Sequence, residues 1–224
     1  MTSDSKLIFA LPKGRILTAI TPILKRAGLV PEAGFFDEND RRLRFSTSDK
    51  GLDIIRVRSF DVAHFIAYGA AQIGITGSDV LLETAHSDIY APVDLKAGTC
   101  RLVVAMPGDM AETEANTQNQ NQHDNGSVRV ATKYPRLTTS HFAARGIQAE
   151  CIILGGAMEI APSLGLCPRI VDLVDSGATL RANNLVEVEE IATISSKLIV
   201  NRLAWKTQPQ AIGAWIDRFQ KAVA

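Results

Sequence analysis

Short apolar runs alternate along the chain with stretches in which apolar side chains recur every three or four residues. The first run, residues 7–11, predicts a buried strand, and the helical spacing that follows it predicts a helix ended by Gly28. Further short apolar runs predict strands at residues 52–57, 73–76, 102–106, 128–132, 151–154 and 170–174. This alternation of strands with helices is typical of an α/β protein.

One segment, residues 109–127, departs from this alternation. It is rich in Asn, Gln, Glu and Asp, and after Met110 alanine is its only apolar side chain. Such a segment buries too little apolar surface to offset the entropy lost on ordering. We interpret it as a flexible surface insertion within a domain, because the alternation of strands and helices resumes directly after it.

Composition and charge narrow the classes of function. The 224 residues are 46% hydrophobic and 21% charged, which is typical of a globular protein. Lys and Arg number 24 and so do Asp and Glu, so we expect no nucleic-acid partner, and any phosphate chemistry must come from local clusters. No apolar run reaches the roughly 18–20 residues of a membrane helix. The polar residues 1–6 lack the pattern of a signal peptide, so a cytoplasmic protein is expected.

The cysteines and histidines do not indicate a metal centre. Three cysteines and four histidines are scattered without ligand spacing, so the sequence predicts no metal held by the protein's own side chains.

A first candidate for phosphate binding follows the strand predicted at residues 170–174. Its candidate residues are Asp172 within the strand and, after it, Asp175, Ser176, Gly177, Ala178 and Thr179. Backbone N–H groups and hydroxyls of such a loop can converge on one phosphate, and glycine lets the backbone approach it closely. Asp172 or Asp175 is suited to accept hydrogen bonds from a ribose diol or to bind magnesium. A strand–turn–helix junction with Ser176 as the helix N-cap explains the same pattern.

Basic residues follow two other predicted strands. Lys13 and Arg15 flank Gly14 after the first strand, and Arg58 follows the strand at residues 52–57. Open α/β sheets bind ligands at the carboxyl ends of their strands, and Lys and Arg suit phosphate. More positive charge lies just upstream, at Arg41, Arg42 and Arg44. The alternatives are a solvated basic turn and a solvent-facing charged strand.

Taken in order, several segments resemble the ATP phosphoribosyltransferase family. They are ALPKGR at residues 10–15, GAAQIGITGSDVLLE at 69–83, ATKYP at 131–135, MEIAP at 158–162 and VDSGATLRAN at 174–183. The resemblance runs from about residue 7 to residue 202 and leaves out the polar insertion. Ser78 stands where a lysine is common in such proteins.

The resemblance implies an α/β fold of two domains, arranged as in type II periplasmic binding proteins with a central cleft. It places residues 1–98 and 190–224 in domain I. Residues 99–189 form domain II, which contains the flexible insertion at 109–127.

The resemblance also implies a reaction. The phosphoribosyl group of phosphoribosyl pyrophosphate (PRPP) is transferred to N1 of ATP in the first step of histidine biosynthesis, with Mg²⁺ as a cofactor carried mainly by the substrate. Adenine N1 carries no proton to remove, so catalysis needs positioning and charge stabilisation of the departing pyrophosphate more than a general base.

The same resemblance assigns roles to the candidate residues. The loop of residues 175–179 binds the 5-phosphate and ribose of PRPP. The candidate catalytic cations, which contact pyrophosphate and ATP, are Lys13, Arg15 and Arg58. Asp172 and Glu159 complete the set of candidates.

By resemblance the chain is a short-form catalytic subunit, because it ends soon after its last amphipathic helix and leaves no room for the histidine-binding domain of long forms. A homodimer core would then assemble with a regulatory subunit similar to histidyl-tRNA synthetase into a hetero-oligomer. Two other functions stay open: a non-catalytic solute-binding protein of the same fold, and a different glycosyl- or phosphoribosyltransferase.

Overall fold

The structure is a computed structural model that describes residues 6–37, 39–117 and 126–224. Its described residues divide into two compact units, one from Met1–Thr99 and Ser195–Ala224 and the other from Cys100–Ile194. Each unit contains one mixed β-sheet. In chain order the elements are β1 (Leu7–Pro12), α1 (Arg15–Arg26), a 3₁₀ turn (Ala33–Phe36), β2 (Arg44–Ser46), β3 (Leu52–Val57), α2 (Ser59–Ala67), β4 (Ile73–Gly77), α3 (Ser78–Thr84), β5 (Ile89–Asp94), β6 (Cys100–Pro107), α4 (Gly108–Thr117), β7 (Ser127–Thr132), α5 (Pro135–Ala143), β8 (Gln148–Ile153), a second 3₁₀ turn (Met158–Ile160), β9 (Arg169–Val174), α6 (Ala178–Ala182), β10 (Leu185–Ile194), β11 (Ser196–Asn201), α7 (Arg202–Thr207) and α8 (Pro209–Val223).

The sheet of the first unit has the strand order β2-β3-β1-β4-β11-β5. Its centre is parallel, because β1 pairs in parallel with both β3 and β4. Phe9 and Leu11 on one face of β1 join a core with α1 and α8, whereas Ala10 on the other face packs with α2. The ring of Phe9 lies 6.3 Å from that of Trp215 and 5.7 Å from that of Phe219. Burial of both faces explains why β1 is a continuous apolar run.

The sheet of the second unit has the strand order β10-β6-β9-β7-β8. Here β7 pairs in parallel with β8 and β9, while β6 lies antiparallel between β9 and β10. The buried core of this unit includes Val103, Ala105, Ala131, Met158, Ile170 and Leu180. The carboxyl ends of β7, β8 and β9 therefore lie at one edge of the sheet.

The polar segment at residues 109–127 differs from the expected single flexible insertion. Residues 109–117 belong to helix α4, and Ser127 begins β7, while residues 118–125 lie outside the described residues. Arg169, whose side chain is 12% exposed, donates to both carboxylate oxygens of Glu114 at 2.6 Å. The prediction was wrong for α4 because it considered only the low apolar content of the segment. The segment contains residues that favour helix formation, and it is also held by an ion pair to a residue distant in sequence.

This ion pair gives a stability prediction. Replacing Glu114 with Ala leaves the largely buried guanidinium of Arg169 without its carboxylate, so we expect the free energy of unfolding to fall by about 1–3 kcal/mol. Glu112 on the same helix is exposed, and Glu112→Ala is the matched control, with an expected change below about 0.5 kcal/mol. Urea melts of both variants measure the difference, and equal midpoints would show that the pair adds nothing.

Candidate functional site

The carboxyl ends of two parallel strands, β1 and β3, place basic side chains at one edge of the first unit. Pro12 of β1 pairs with Val57 of β3, and the N–H of Lys13 donates to the carbonyl of Val57 at 3.0 Å. Lys13 and Arg58 therefore leave neighbouring strands at the same edge. Both side chains are exposed, and within the described part of the chain neither forms an ion pair or hydrogen bond. The structure thus brings together two of the three cations chosen from the sequence.

Gly14 turns the chain from β1 into α1 and places the third cation. Its φ of 76° and ψ of −145° are readily adopted by glycine alone. Arg15 is the first residue of α1 and is exposed. Lys13 and Arg15 thus lie on either side of the glycine, at the amino end of the helix.

The arginines upstream of Arg58 mostly serve the fold. Arg42 forms ion pairs with Asp40 and Glu32, and the Arg42 guanidinium holds the pKa of the Asp40 carboxyl below its usual range. Arg44 forms an ion pair with the nearly buried Asp53. For Arg42 and Arg44 the structure therefore favours the interpretation as charged residues with structural partners over a role in phosphate binding.

In the second unit, β9 leads through the predicted phosphate loop into α6. The loop residues Asp175, Ser176, Ala178 and Thr179 are exposed, whereas Gly177 is buried. Gly177 has a φ of 72° and a ψ of 7°, and it occupies the N-cap position of α6. The hydroxyl of Ser176 accepts from the N–H of Ala178 at a long 3.4 Å. The N-cap is therefore Gly177 and not Ser176, which leaves the hydroxyls of Ser176 and Thr179 at the surface.

Two charged side chains border this loop. A Cβ atom added to Gly177 would lie 3.0 Å from Nη1 of Arg181 and 3.3 Å from Oε1 of Glu187. Arg181 donates to the carbonyl of Ser176 at 3.0 Å, and Glu187 forms an ion pair with Arg101. The loop therefore has an adjacent guanidinium, while the nearby carboxylate already has a partner.

Asp172 and Glu159 form a pair of carboxyls close to the loop. Asp172 is part-buried on β9, and Glu159 lies in the second 3₁₀ turn. Burial, with a smaller contribution from the charge of Glu159, raises the pKa of Asp172 to about 6. The hydrogen bond from the N–H of Leu173, at 2.7 Å, and the charge of Lys133 act in the opposite direction. With a pKa of about 6 this carboxyl is mostly ionised at neutral pH, and the carboxylate can accept a hydrogen bond or attract a cation.

The raised pKa of Asp172 predicts how stability depends on pH. The folded-state pKa of about 6 exceeds the usual 3.8, so the native state loses stability as pH rises from about 4 through 6. Asp172→Asn cannot ionise and keeps the acceptor for Leu173. We expect this variant to be more stable than the parent by roughly 1–3 kcal/mol at pH 8 and equal to it near pH 4. Denaturant melts at both pH values test this, and a gap independent of pH would contradict it.

A family model described as ATP phosphoribosyltransferase matches residues 58–221. A relative with that name from Paramagnetospirillum magneticum is 56% identical over 222 residues, covering 99% of each chain. Another from Rhodospirillum rubrum is 57% identical over 217 residues, covering 97% of this chain and 93% of the relative. The chain belongs to the ATP phosphoribosyltransferase family. The predicted activity, the first step of histidine biosynthesis, is thereby confirmed, and the two alternative functions are not supported.

A solved structure extends the likeness to the fold. The ATP phosphoribosyl transferase (HisG:HisZ) complex from Thermotoga maritima matches with a TM-score of 0.78 and 29% identity, over 97% of this chain and 98% of that chain. The predicted class, an α/β fold like type II periplasmic binding proteins, is confirmed. None of the helices in the described ranges is long and apolar enough to span a membrane.

Two features of this chain were missed from sequence. Arg181 lies within the matched motif at residues 174–183 and was overlooked because the motif was interpreted through its glycine and hydroxyls. Arg56, two residues before Arg58, was not singled out from sequence, yet it is 7% exposed and donates to backbone carbonyls. Its place in β3, next to the half-buried Ile55 and two residues after the buried Ile54 in a mostly apolar strand, was the available signal.

Proposed function

We propose that PRPP binds through its 5-phosphate and ribose to the loop of residues 175–179. The observation that supports this most is the buried, left-handed Gly177, which leaves an exposed run of backbone and hydroxyl donors on either side. The first N–H groups of a helix have no partner within the helix, so those of α6 are suited to a phosphate. Arg181 adds a guanidinium beside the same loop.

We assign the pyrophosphate and ATP contacts to Lys13, Arg15 and Arg58. These cations share one edge of the first unit, and the exposed ammonium of Lys13 and guanidinium of Arg58 keep their hydrogen-bonding groups available. Adenine N1 attacks C1 of the ribose as the bond to pyrophosphate breaks. Positioned cations lower the energy of the transition state, because they stabilise the negative charge that develops on the departing pyrophosphate.

We propose that Mg²⁺ arrives mainly with the substrate. Within the described ranges no group of three His, Cys, Asp or Glu side chains is placed to hold a metal ion. Asp172 and Glu159 offer the carboxylate oxygens that Mg²⁺ prefers. The remaining coordination positions of a substrate-bound ion would be filled by phosphate oxygens and water. When bound, the ion neutralises charge on pyrophosphate. Asp172 otherwise accepts hydrogen bonds from the ribose diol.

Thr179→Ala tests the loop assignment with little disturbance of the fold. Loss of one charge-assisted hydrogen bond, worth about 1.5–3 kcal/mol, should weaken PRPP binding roughly 10- to 150-fold. Thr139→Ala, an exposed threonine on α5 of the same unit, is the control and should bind PRPP as the parent does. Calorimetric titration measures both variants, and an unchanged dissociation constant for Thr179→Ala would remove the hydroxyl from the site.

We further propose that a homodimer of this chain assembles with a regulatory subunit similar to histidyl-tRNA synthetase. The solved structure from Thermotoga maritima is a HisG:HisZ complex, which supports a HisZ-like partner for this chain. We expect the isolated chain to stay active at histidine concentrations that inhibit the assembled enzyme. Activity assays with and without the partner test this, and tight binding of histidine to the isolated chain would contradict it.

A further inference from the structure

Glu187 is a carboxylate beside the loop of residues 175–179 that the proposed function does not use. It lies on β10 opposite Ala105 of β6, on the sheet face where Ala105 shares a core with Leu180 of α6. Its Oε1 would lie 3.3 Å from a Cβ atom added to Gly177. A negative charge this close to a phosphate site weakens binding of the anion unless a cation balances it.

Arg101 supplies the balancing charge. Its guanidinium donates to both carboxylate oxygens of Glu187, at 2.5 and 3.0 Å. Two parallel bonds from one planar group fix the direction of the carboxylate as well as its position. Arg101 lies opposite Val174, the last residue of β9 before the loop. The ion pair is therefore placed where the chain enters the loop.

Glu189 of the same strand provides an internal comparison. Its partner on β6 is the residue before that of Glu187, and successive strand residues point to opposite faces, so the two carboxylates lie on opposite faces of the sheet. Glu189 forms an ion pair with Arg145 at 2.6 Å and also contacts Nε2 of His141. The side chains of Arg145 and Arg101 are 45% and 39% exposed. The two pairs are thus similar in exposure, but only one borders the loop.

We propose that Arg101 is a positioning residue for PRPP binding: it holds the carboxylate of Glu187 in a forked ion pair and so shields the 5-phosphate from its charge. The inference rests on the proposed function, in which the loop of residues 175–179 binds that phosphate. Arg101 acts through Glu187 and does not itself need to touch the substrate. The ATP contacts are assigned to cations of the first unit, so loss of the shield should affect PRPP and leave ATP binding unchanged.

Removing each partner in turn distinguishes shielding from a purely structural ion pair. Arg101→Ala leaves the carboxylate without its cation, so the dissociation constant for PRPP should rise about 10-fold, while that for ATP stays within about twofold. Glu187→Gln removes the charge and should bind PRPP within about threefold of the parent. The double variant Arg101→Ala/Glu187→Gln should recover that affinity. A pair that only supports the loop would give losses in both single variants and no recovery in the double variant.

Ionic strength gives a readout that a structural role would not change. Arg101→Ala and the double variant differ only in the charge at position 187, and salt screens that charge. The roughly 10-fold ratio of their PRPP dissociation constants at low salt should therefore fall to about threefold or less near 1 M salt. Arg145→Ala is the matched control and should bind PRPP as the parent does at either salt concentration. Calorimetric titrations of the full-length protein give these constants, and thermal melts report whether each variant is folded.

Unchanged PRPP affinity in folded Arg101→Ala would overturn the proposal, and so would a double variant that stays as weak as Arg101→Ala. If Arg101→Ala does not fold, Glu187→Gln decides, because a loss of PRPP affinity above about threefold would show that the carboxylate supports binding. If Thr179→Ala weakens PRPP binding and Arg101→Ala does not, the shield alone is refuted. If neither variant weakens it, the assignment of the loop is refuted as well.

Discussion

Gly177→Val should weaken PRPP binding by roughly 100-fold or more, the largest effect we expect from a single change in the second unit. Valine at a φ of 72° is strained, and its Cβ would lie 3.0 Å from Arg181 Nη1, so it displaces the guanidinium that borders the loop. Its methyl groups would also occupy the space that we assign to the 5-phosphate. Titration of PRPP by calorimetry measures the loss.

Gly146→Val is the control that separates strain from lost binding. Gly146 follows α5 in the same unit with a φ of 73°, and a Cβ added there meets no atom within 4 Å. Both variants should lose a similar free energy of unfolding, about 1–3 kcal/mol, from the left-handed backbone. Only Gly177→Val should lose PRPP. Equal PRPP affinity in the two variants would exclude the loop from the phosphate site.

Arg58→Ala should lower kcat by roughly 100-fold, because a fixed cation acts on charge that appears as pyrophosphate leaves. Arg58 is exposed and has no ion pair within the described ranges, so the melting temperature should hardly change. Lys25→Ala, which removes an exposed cation from the last turn of α1, is the control and should keep full activity. Steady-state rates with saturating ATP and PRPP give the comparison.

Arg58→Lys refines this expectation. Lysine keeps the charge but loses the planar fork, so its rate should lie between those of the parent and Arg58→Ala. A rate for Arg58→Ala within about threefold of the parent, with the protein folded, would show that Arg58 takes no part in stabilising the leaving group.

The central strands were predictable because their burial is recorded directly in the sequence. β1 is covered on both faces, so nearly every position in it is apolar and the run stands out. The candidate loop was also predictable, since the Asp-Ser-Gly-Ala-Thr string combines a strand end, a glycine and hydroxyls within five residues. Both the strand and the loop were thus predicted from residues that are neighbours in the sequence.

Features that depend on contacts distant in sequence were not predictable. Helix α4 is held by Arg169, which lies 55 residues from Glu114, and no local pattern shows that pair. Arg56 binds carbonyls 16 to 21 residues earlier, so its role was hidden among neighbouring arginines that are exposed. The raised pKa of Asp172 arises mainly from burial, with a contribution from Glu159, and only the folded chain brings these two carboxyls together.

The most direct test of the account mixes the purified chain with ATP, PRPP and Mg²⁺ and follows ultraviolet absorbance. We predict a new absorbance that requires all three components, with pyrophosphate released in equal amount as the phosphoribosyl group is joined to adenine N1. The adduct should form several orders of magnitude more slowly when Gly177→Val and Arg58→Ala are combined. No adduct from the folded parent protein with every component present, or undiminished adduct formation by the double variant, would contradict the account.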